Sequence, residues 1–108
     1  MSVYMKFYPY KSHAGKESIW GKKFKPNEVL GVAADLRTGK LLFSHNGSWK
    51  APMGVAFEGL DAGVALFPAL SGGRVNCVVA VNFGDRSMKY GPPDESYLTV
   101  WEVTRKKK

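Results

Sequence analysis

Cysteine and long apolar runs are scarce in this 108-residue sequence. The single cysteine, Cys77, rules out a disulfide bond within the chain and a zinc site built from several cysteines. No apolar run approaches the roughly 20 residues that a membrane-spanning helix needs. The first residues also lack the charged leader and long apolar stretch of a secretory signal. These absences predict an intracellular, cytoplasmic protein that does not insert into a membrane.

An apolar stripe at helical spacing is also missing, because no segment of 12 or more residues keeps one without a glycine or a proline. Apolar and polar residues instead alternate over short segments, which is the pattern of strands with one buried face. The predicted strands lie at residues 2–8, 28–36, 41–45, 54–58, 64–70, 75–83 and 97–103. Their number and spacing predict an all-β fold, an antiparallel β-sandwich of about seven strands in one domain over residues 1–104.

Three segments carry more specific expectations. Residues 28–36 are almost wholly apolar, which predicts a strand buried on both faces of the sheet. Residues 97–103 are expected to close the fold as its last strand. Between residues 10 and 26 we expect a long connection, with or without a short strand, that Trp20 and Phe24 anchor to the core.

Asn46-Gly47 is the strongest local signal in the sequence. It lies between two apolar segments, and both residue types tolerate a positive φ angle. A tight type I′ turn needs positive φ at both of its central positions. The sequence therefore predicts a hairpin turn of this type at residues 45–48.

The positive charge is concentrated at one end of the chain. The net charge is +7, and four of the 16 basic residues are the last four, so that 12 basic and 9 acidic residues remain elsewhere. A block of like charge at a terminus is typical of a solvated, disordered segment. We therefore expect residues 105–108 to form a basic tail outside the domain.

Residues that could perform catalysis do not cluster in the sequence. His13 and His45 fall in or beside predicted turns, where we expect exposed side chains, and neither has a second metal ligand at close spacing. Cys77 lies mid-strand among valines, an environment in which a thiol is inert. The carboxylates are scattered rather than paired. We therefore expect no enzyme, no bound metal and no cofactor.

Four motifs occur in order between residues 29 and 84, and together they resemble the SPRY domain, the core of the larger B30.2 (PRY-SPRY) module. A looser match to the family's glycine-rich upstream segment extends the resemblance to roughly residues 12–84. The first motif runs from Val29 to Gly47, and the order and spacing of all four make the match specific. The others are Gly54-Val55-Ala56-Phe57, residues 66–71 and Val81-Asn82-Phe83-Gly84. The resemblance identifies as fold determinants Gly31, Asp35, Gly39, Asn46, Gly47, Pro68, Asn82, Phe83 and Gly84.

The resemblance implies a concanavalin-like β-sandwich that binds a peptide or a partner domain through loops at one end, without catalysis. It also shows a difference, because the family has further strands before the first motif and here few residues precede it. The alternating segment 2–8 could cover the sheet edge within one chain or pair with a second copy. We expect the second arrangement, a homodimer.

Partner-binding candidates are aromatic and arginine side chains in predicted loops, since these residue types dominate interface energetics. They are Trp20, Trp49, Arg86 and Tyr90. Each has a structural alternative: Trp20 as a core or lid residue, Trp49 as a residue buried against the sheet, and the other two as parts of an ordinary solvated loop.

Two other functions remain open at this stage. Nucleic acid or another anionic polymer could bind residues 105–108 together with Lys22, Lys23 and Lys25, while aromatic rings stack on bases. The lysines do not alternate with aromatic residues along one strand, which weighs against this alternative. A lectin-like sugar site would share the sandwich fold and an exposed tryptophan.

Overall fold

The computed structural model describes residues 3–5, 10–13, 16–61 and 80–106, which contain six strands and one short helix. The strands are β1 (Val3–Met5), β2 (Tyr10–His13), β3 (Lys16–Ile19), β4 (Leu30–Asp35), β5 (Lys40–His45) and β6 (Gly54–Phe57), and the helix is α1 (Val100–Lys106). They form two antiparallel sheets of order β1-β2-β3 and β4-β5-β6. This confirms the all-β class. The strand predicted at 64–70 and most of the one at 75–83 lie outside the described residues.

The core lies on one face of the β4-β5-β6 sheet. Leu41 and Phe43 project from alternate positions of β5, and both are buried. Met53 and Ala56 complete the buried cluster. The segment that follows β3 covers this face, because Trp20 and Phe24 both pack against the cluster. The anchoring role predicted for these two aromatic residues is confirmed.

Asp35 and Gly39 shape the turn between β4 and β5. Oδ1 of Asp35 accepts the backbone N–H of Arg37 at 3.1 Å, and the carbonyl of Asp35 accepts the N–H of Gly39 at 2.8 Å. Gly39 has a φ of 72°, and a Cβ atom there would collide with the backbone of Leu60. The carbonyl of Gly39 accepts the N–H of Leu60 at 3.0 Å, so this close approach also ties the chain after β6 to the turn.

The type I′ turn predicted at Asn46-Gly47 is confirmed. Their φ angles are 46° and 84°, and residues His45 and Ser48 exchange two backbone hydrogen bonds, of 3.1 and 2.9 Å, across the turn. The turn is also joined to the start of β4. The backbone N–H of Asn46 donates to the carbonyl of Val29 at 2.9 Å, while Oδ1 of Asn46 accepts the N–H of Val29 at 2.8 Å.

The β1-β2-β3 sheet contains two strands, β2 and β3, in a segment predicted to be a connection. β1 pairs with β2 of the same chain, with Val3 opposite His13 and Met5 opposite Lys11. This pairing corresponds to the arrangement in which the N-terminal strand covers an edge within one chain. The homodimer stays a prediction.

Burial of β4 differs from the sequence-based expectation. Val32 is 60% exposed and Ala34 is also exposed, so β4 is not buried on both faces. Val32 pairs with Phe43 and therefore projects from the core-facing side. Trp20 packs against Phe43, whereas the neighbouring Val32 side chain stays exposed.

The strand predicted at 97–103 is wrong, because α1 occupies Val100–Lys106. Thr99 and Glu102 form a capping box at its start: Oγ1 of Thr99 accepts the N–H of Glu102 at 3.1 Å, and Oε1 of Glu102 accepts the N–H of Thr99 at 3.0 Å. The helix crosses the predicted boundary at residue 104 and includes two residues of the expected disordered tail. With seven residues, α1 is far too short to span a bilayer, and the described part of the chain contains no helix that could.

We predict that a methyl group at position 47 is more damaging than one at position 59. Gly47 and Gly59 both have positive φ, at 84° and 70°. A Cβ atom at Gly47 would lie 2.7 Å from Cδ1 of Tyr90, whereas nothing lies within 4 Å of one at Gly59. Gly59→Ala should therefore lower the free energy of unfolding by about 1 kcal/mol through backbone strain alone. Gly47→Ala adds overpacking and should lower it by at least about 2 kcal/mol.

Urea denaturation of the two variants and the wild-type protein measures this difference. Equal losses would show that the ring of Tyr90 does not pack against the turn.

Candidate partner-binding site

Trp49 lies directly after the type I′ turn and packs across the sheet. A Cβ atom at Gly31 would lie 3.5 Å from Cη2 of Trp49, and it would also collide with the side chain of Ser44. The indole therefore lies on the face of the sheet toward which a side chain at position 31 would point, and glycine leaves room for it there. Trp49 is only partly buried, so part of its ring remains at the surface.

A hydrogen bond joins Trp49 to the long loop near the C-terminus. Nε1 of Trp49 donates to the carbonyl of Gly91 at 3.1 Å, and the residue before that glycine, Tyr90, lies against Gly47. Nζ of Lys89 lies 5.5 Å from the centre of the Tyr90 ring, within cation–π range. Two predicted candidates, Trp49 and Tyr90, are thus brought to the same end of the hairpin. We call Trp49 together with residues 84–96, which include Tyr90, the Trp49 surface.

Asn82 organises the start of this loop. Its Nδ2 donates to the carbonyls of Arg86 and Ser87, both at 3.2 Å, and its Oδ1 accepts the N–H of Gly84 at 2.8 Å. The side-chain amide thus satisfies loop backbone groups, as we expect of a fold determinant. Gly84 has a φ of 105° and packs so closely on Thr99 that a Cβ atom would collide there.

Arg86 and Phe83 also participate in this local structure. Nη2 of Arg86 donates to the carbonyl of Val81 at 3.0 Å, and the guanidinium remains exposed. The carbonyl of Phe83 accepts the N–H of Trp101 at 2.9 Å and thereby joins the loop to α1. Pro68, the remaining fold determinant, lies outside the described residues.

Trp20 does not join the Trp49 surface. Its ring makes an edge-on contact with Phe43 at 5.9 Å between centroids and is partly buried against the core. Phe43 and Ser44 are neighbours on β5, so their side chains point to opposite faces of the sheet. Because Trp49 packs on the Ser44 side, the two tryptophans lie on opposite faces. This position agrees with the alternative in which Trp20 is a core residue instead of a partner-binding one.

His45 is buried, contrary to the expectation of an exposed histidine. It follows Leu41 and Phe43 at alternate positions of β5 and therefore faces the core. This alternation can be read from the sequence and predicts a buried side chain at position 45. The ring of Phe24 covers it at 4.8 Å between centroids. Nε2 of His45 lies 2.8 Å from Oε2 of Glu28, although the contact is not aligned as a hydrogen bond.

Glu28 connects this histidine with the turn that carries Trp49. Its Oε1 accepts the backbone N–H of Lys25 at 2.6 Å, and its Oε2 accepts an N–H from the side chain of Asn46 at 3.3 Å. The hydrogen bond from Lys25, followed by the neighbouring imidazole of His45, holds the pKa of Glu28 below its usual value. The carboxylate therefore supports the turn in its ionised form.

Two further carboxylates are held in turns in the same way. The hydroxyl of Thr38, with nearby backbone N–H groups, lowers the pKa of Asp35. The hydroxyl and N–H of Ser96 lower the pKa of Asp94. Burial raises the pKa of Tyr97, and the charges of Asp35 and Asp94 raise it further.

The described part of the chain also includes most of the residues considered for a metal or for a nucleic acid strand. Among them, no three histidine, cysteine, aspartate or glutamate side chains form a cluster suited to a metal ion. Lys22, Lys23 and Lys25 are exposed on the segment that follows β3. Residues 105 and 106 lie in α1, and residues 107–108 fall outside the described part.

Comparison with known proteins gives the same family as the motifs. The profile of the SPRY domain matches residues 2–86. The heterogeneous nuclear ribonucleoprotein U-like protein 2 of Mus musculus is 35% identical over 99 residues, and that of Homo sapiens is 34% identical over 98. Each alignment covers 86% of this chain but only 12% of the relative. No solved structure matches the chain. SPRY domains are generally protein-interaction modules without catalytic activity.

We predict that protonation of Glu28 lowers the free energy of unfolding in acid. A carboxyl group whose pKa is lower in the folded state contributes stability above its unfolded pKa, and this contribution is lost as the pH falls through the folded pKa. The unfolding free energy should therefore fall between about pH 5 and pH 3. Glu28→Gln should flatten part of this fall, because a glutamine side chain has no proton to gain. The remaining loss of stability in acid should persist, because the pKa values of Asp35 and Asp94 are also lowered.

Urea denaturation at a series of pH values provides the measurement, and Glu95→Gln is the control for removing an exposed carboxylate. A Glu28→Gln curve parallel to the wild-type curve would contradict the assignment.

Proposed function

Because the chain belongs to the SPRY domain family, we propose that it binds a protein partner, either a peptide or a domain, through the Trp49 surface. The hydrogen bond between Nε1 of Trp49 and the carbonyl of Gly91 is the observation that supports this choice most directly. It brings a partly exposed tryptophan and the long loop together at the end of a tight hairpin. No chemical step is required of this surface.

Rigidity suits this surface to binding. Trp49 is held between Gly31 and Gly91, so little side-chain freedom is lost when a partner covers its exposed edge. Large, fixed aromatic side chains are the residues that most often dominate binding energy. The loop is stiffened separately by the hydrogen bonds of Asn82, so its backbone conformation exists before binding.

Arg86 supplies a polar contact at the edge of this surface. Its guanidinium has five N–H donors, and the bond to the carbonyl of Val81 orients the group while leaving donors for a partner. An exposed arginine fixed in this way can bind a carboxylate or a carbonyl with a small loss of entropy. We assign Trp49 and Tyr90 to the apolar contact and Arg86 to the polar contact.

The relatives help to limit the proposal. Their name describes ribonucleoproteins, but this chain spans only about one-eighth of their length. The assemblies and nucleic acids of the whole relatives therefore do not transfer to it, and no described feature favours the nucleic-acid alternative. We propose an intracellular location, in keeping with relatives named for the nucleus.

We predict that Trp49→Ala weakens partner binding about tenfold or more, because truncating a central tryptophan commonly removes at least about 1.4 kcal/mol. Arg86→Ala and Tyr90→Ala should have smaller effects in the same direction. Ile19→Ala serves as the control, since Ile19 is 78% exposed on β3, away from this surface.

The measurement has two steps. Quantitative pull-down and mass spectrometry first identify proteins retained by the wild-type chain, and titration calorimetry then gives the dissociation constant of one purified partner for each variant. Circular dichroism confirms that every variant is folded. Equal affinity for the wild-type protein and the three variants at the Trp49 surface would overturn the proposal.

A further inference from the structure

A cleft of about 280 Å³ lies between the β2-β3 hairpin and the end of β6. One wall comes from β2 and β3, and the other comes from Phe57 and the residues that follow it. The lining side chains are Lys11, Lys16, Ser18, Phe57, Glu58 and Leu60. Its volume lies at the lower end of the range for ligand sites, so it suits one or two side chains of a peptide better than a cofactor.

The cleft combines apolar and charged groups. Phe57 and Leu60 are partly buried and pack against the core cluster, so they offer fixed apolar contacts. Lys11 and Lys16 contribute two positive charges, whereas Glu58 contributes one negative charge. A ligand with an apolar side chain beside a negative one is complementary to this lining.

Lys11 is held in place before any ligand arrives. Its Nζ donates to the carbonyl of Ala56 at 2.6 Å and lies 5.3 Å from the ring centre of Phe57 and 6.0 Å from that of Trp20. An ammonium group has three N–H donors. Only one has an acceptor in the described part of the chain, and no described carboxylate forms an ion pair with Lys11 or Lys16.

We propose that this cleft binds an acidic peptide segment, in which an Asp or Glu carboxylate lies on Lys11 and Lys16 and an adjacent apolar side chain lies on Phe57 and Leu60. A carboxylate supplies acceptors for the N–H donors of Lys11 that have none in the described part of the chain, and hydrogen bonds to a charged group are stronger than neutral ones. Glu58 also lines the cleft and opposes a second negative charge, so a ligand with a single acidic residue fits best. This site uses no residue of the Trp49 surface.

The cleft can be tested by nuclear magnetic resonance of the full chain labelled with ¹⁵N, since a small ligand should bind weakly. The probe is N-acetyl-phenylalanyl-glutamate amide, and its neutral match is the corresponding glutamine peptide. We expect the acidic peptide to shift the amide signals of Lys16, Ser18 and Glu58, and the glutamine peptide to shift them much less. Inorganic phosphate alone tests whether any anion is sufficient.

Three variants test the role of charge. Lys16→Gln should weaken the acidic peptide about two- to fivefold, the usual value of one exposed ion pair. Glu58→Gln should strengthen binding by a similar factor, because it removes a repulsive charge. Lys25→Gln removes an exposed lysine outside the cleft and should leave the affinity unchanged. Lys16 makes no contact that the fold requires among the described residues, so its variant should fold normally.

Several results would overturn the proposal. Equal binding of the two peptides would show that charge plays no part, and phosphate binding as tight as the peptide would show a simple anion site. Signal shifts centred on Trp49 and Tyr90 would place acidic recognition on the other surface. An effect of Lys25→Gln as large as that of Lys16→Gln would indicate attraction to net charge alone.

Discussion

The pair of hydrogen bonds between Asn46 and Val29 fixes the end of the sheet on which the Trp49 surface is built. One bond comes from the backbone and the other from the side chain, so the turn cannot rotate away from the start of β4. The direction in which the chain leaves the turn then determines where Trp49 lies. Glu28 reinforces the same junction through Asn46 and His45. The candidate site thus depends on a small polar cluster at its base.

This arrangement separates the groups that hold the fold from the groups available to a partner. The side-chain amide of Asn46 bonds to the backbone of Val29 and to the carboxylate of Glu28, and that of Asn82 bonds to loop backbone. Their bonds leave the edge of Trp49 and the guanidinium of Arg86 at the surface. A partner can therefore contact these side chains without breaking the bonds that define the loop conformation.

Features governed by local conformation could be predicted from the sequence. Asn-Gly specifies its own turn because both residues accept positive φ. Asp35 closes the preceding turn, between β4 and β5, by accepting the N–H groups of Arg37 and Thr38. The amide of Asn82 acts within five residues. The meeting of Trp49 with Gly91 could only be expected from the family, since the hydrogen bond joins residues 42 positions apart.

Features that depend on tertiary contacts or on competing signals were missed. Alternating apolar residues suggested a strand at 97–103, but the capping box of Thr99 and Glu102 favours a helix start, and this signal was present in the sequence. Val32 is apolar yet exposed, because burial depends on what covers a strand rather than on its composition. β2 and β3 contain polar residues that gave no clear alternation. The sequence therefore does not predict the cleft between these strands and β6.

The close approach of Tyr90 to Gly47 has an evolutionary consequence. The tyrosine ring occupies the volume that a side chain at position 47 would need. In homologous sequences, a residue larger than glycine at position 47 should then accompany a smaller one at position 90, and asparagine is the replacement that the backbone angle tolerates best. The two positions should covary as a pair. A substitution at position 90 is consequently tied to the identity of a turn residue 43 positions earlier in the chain.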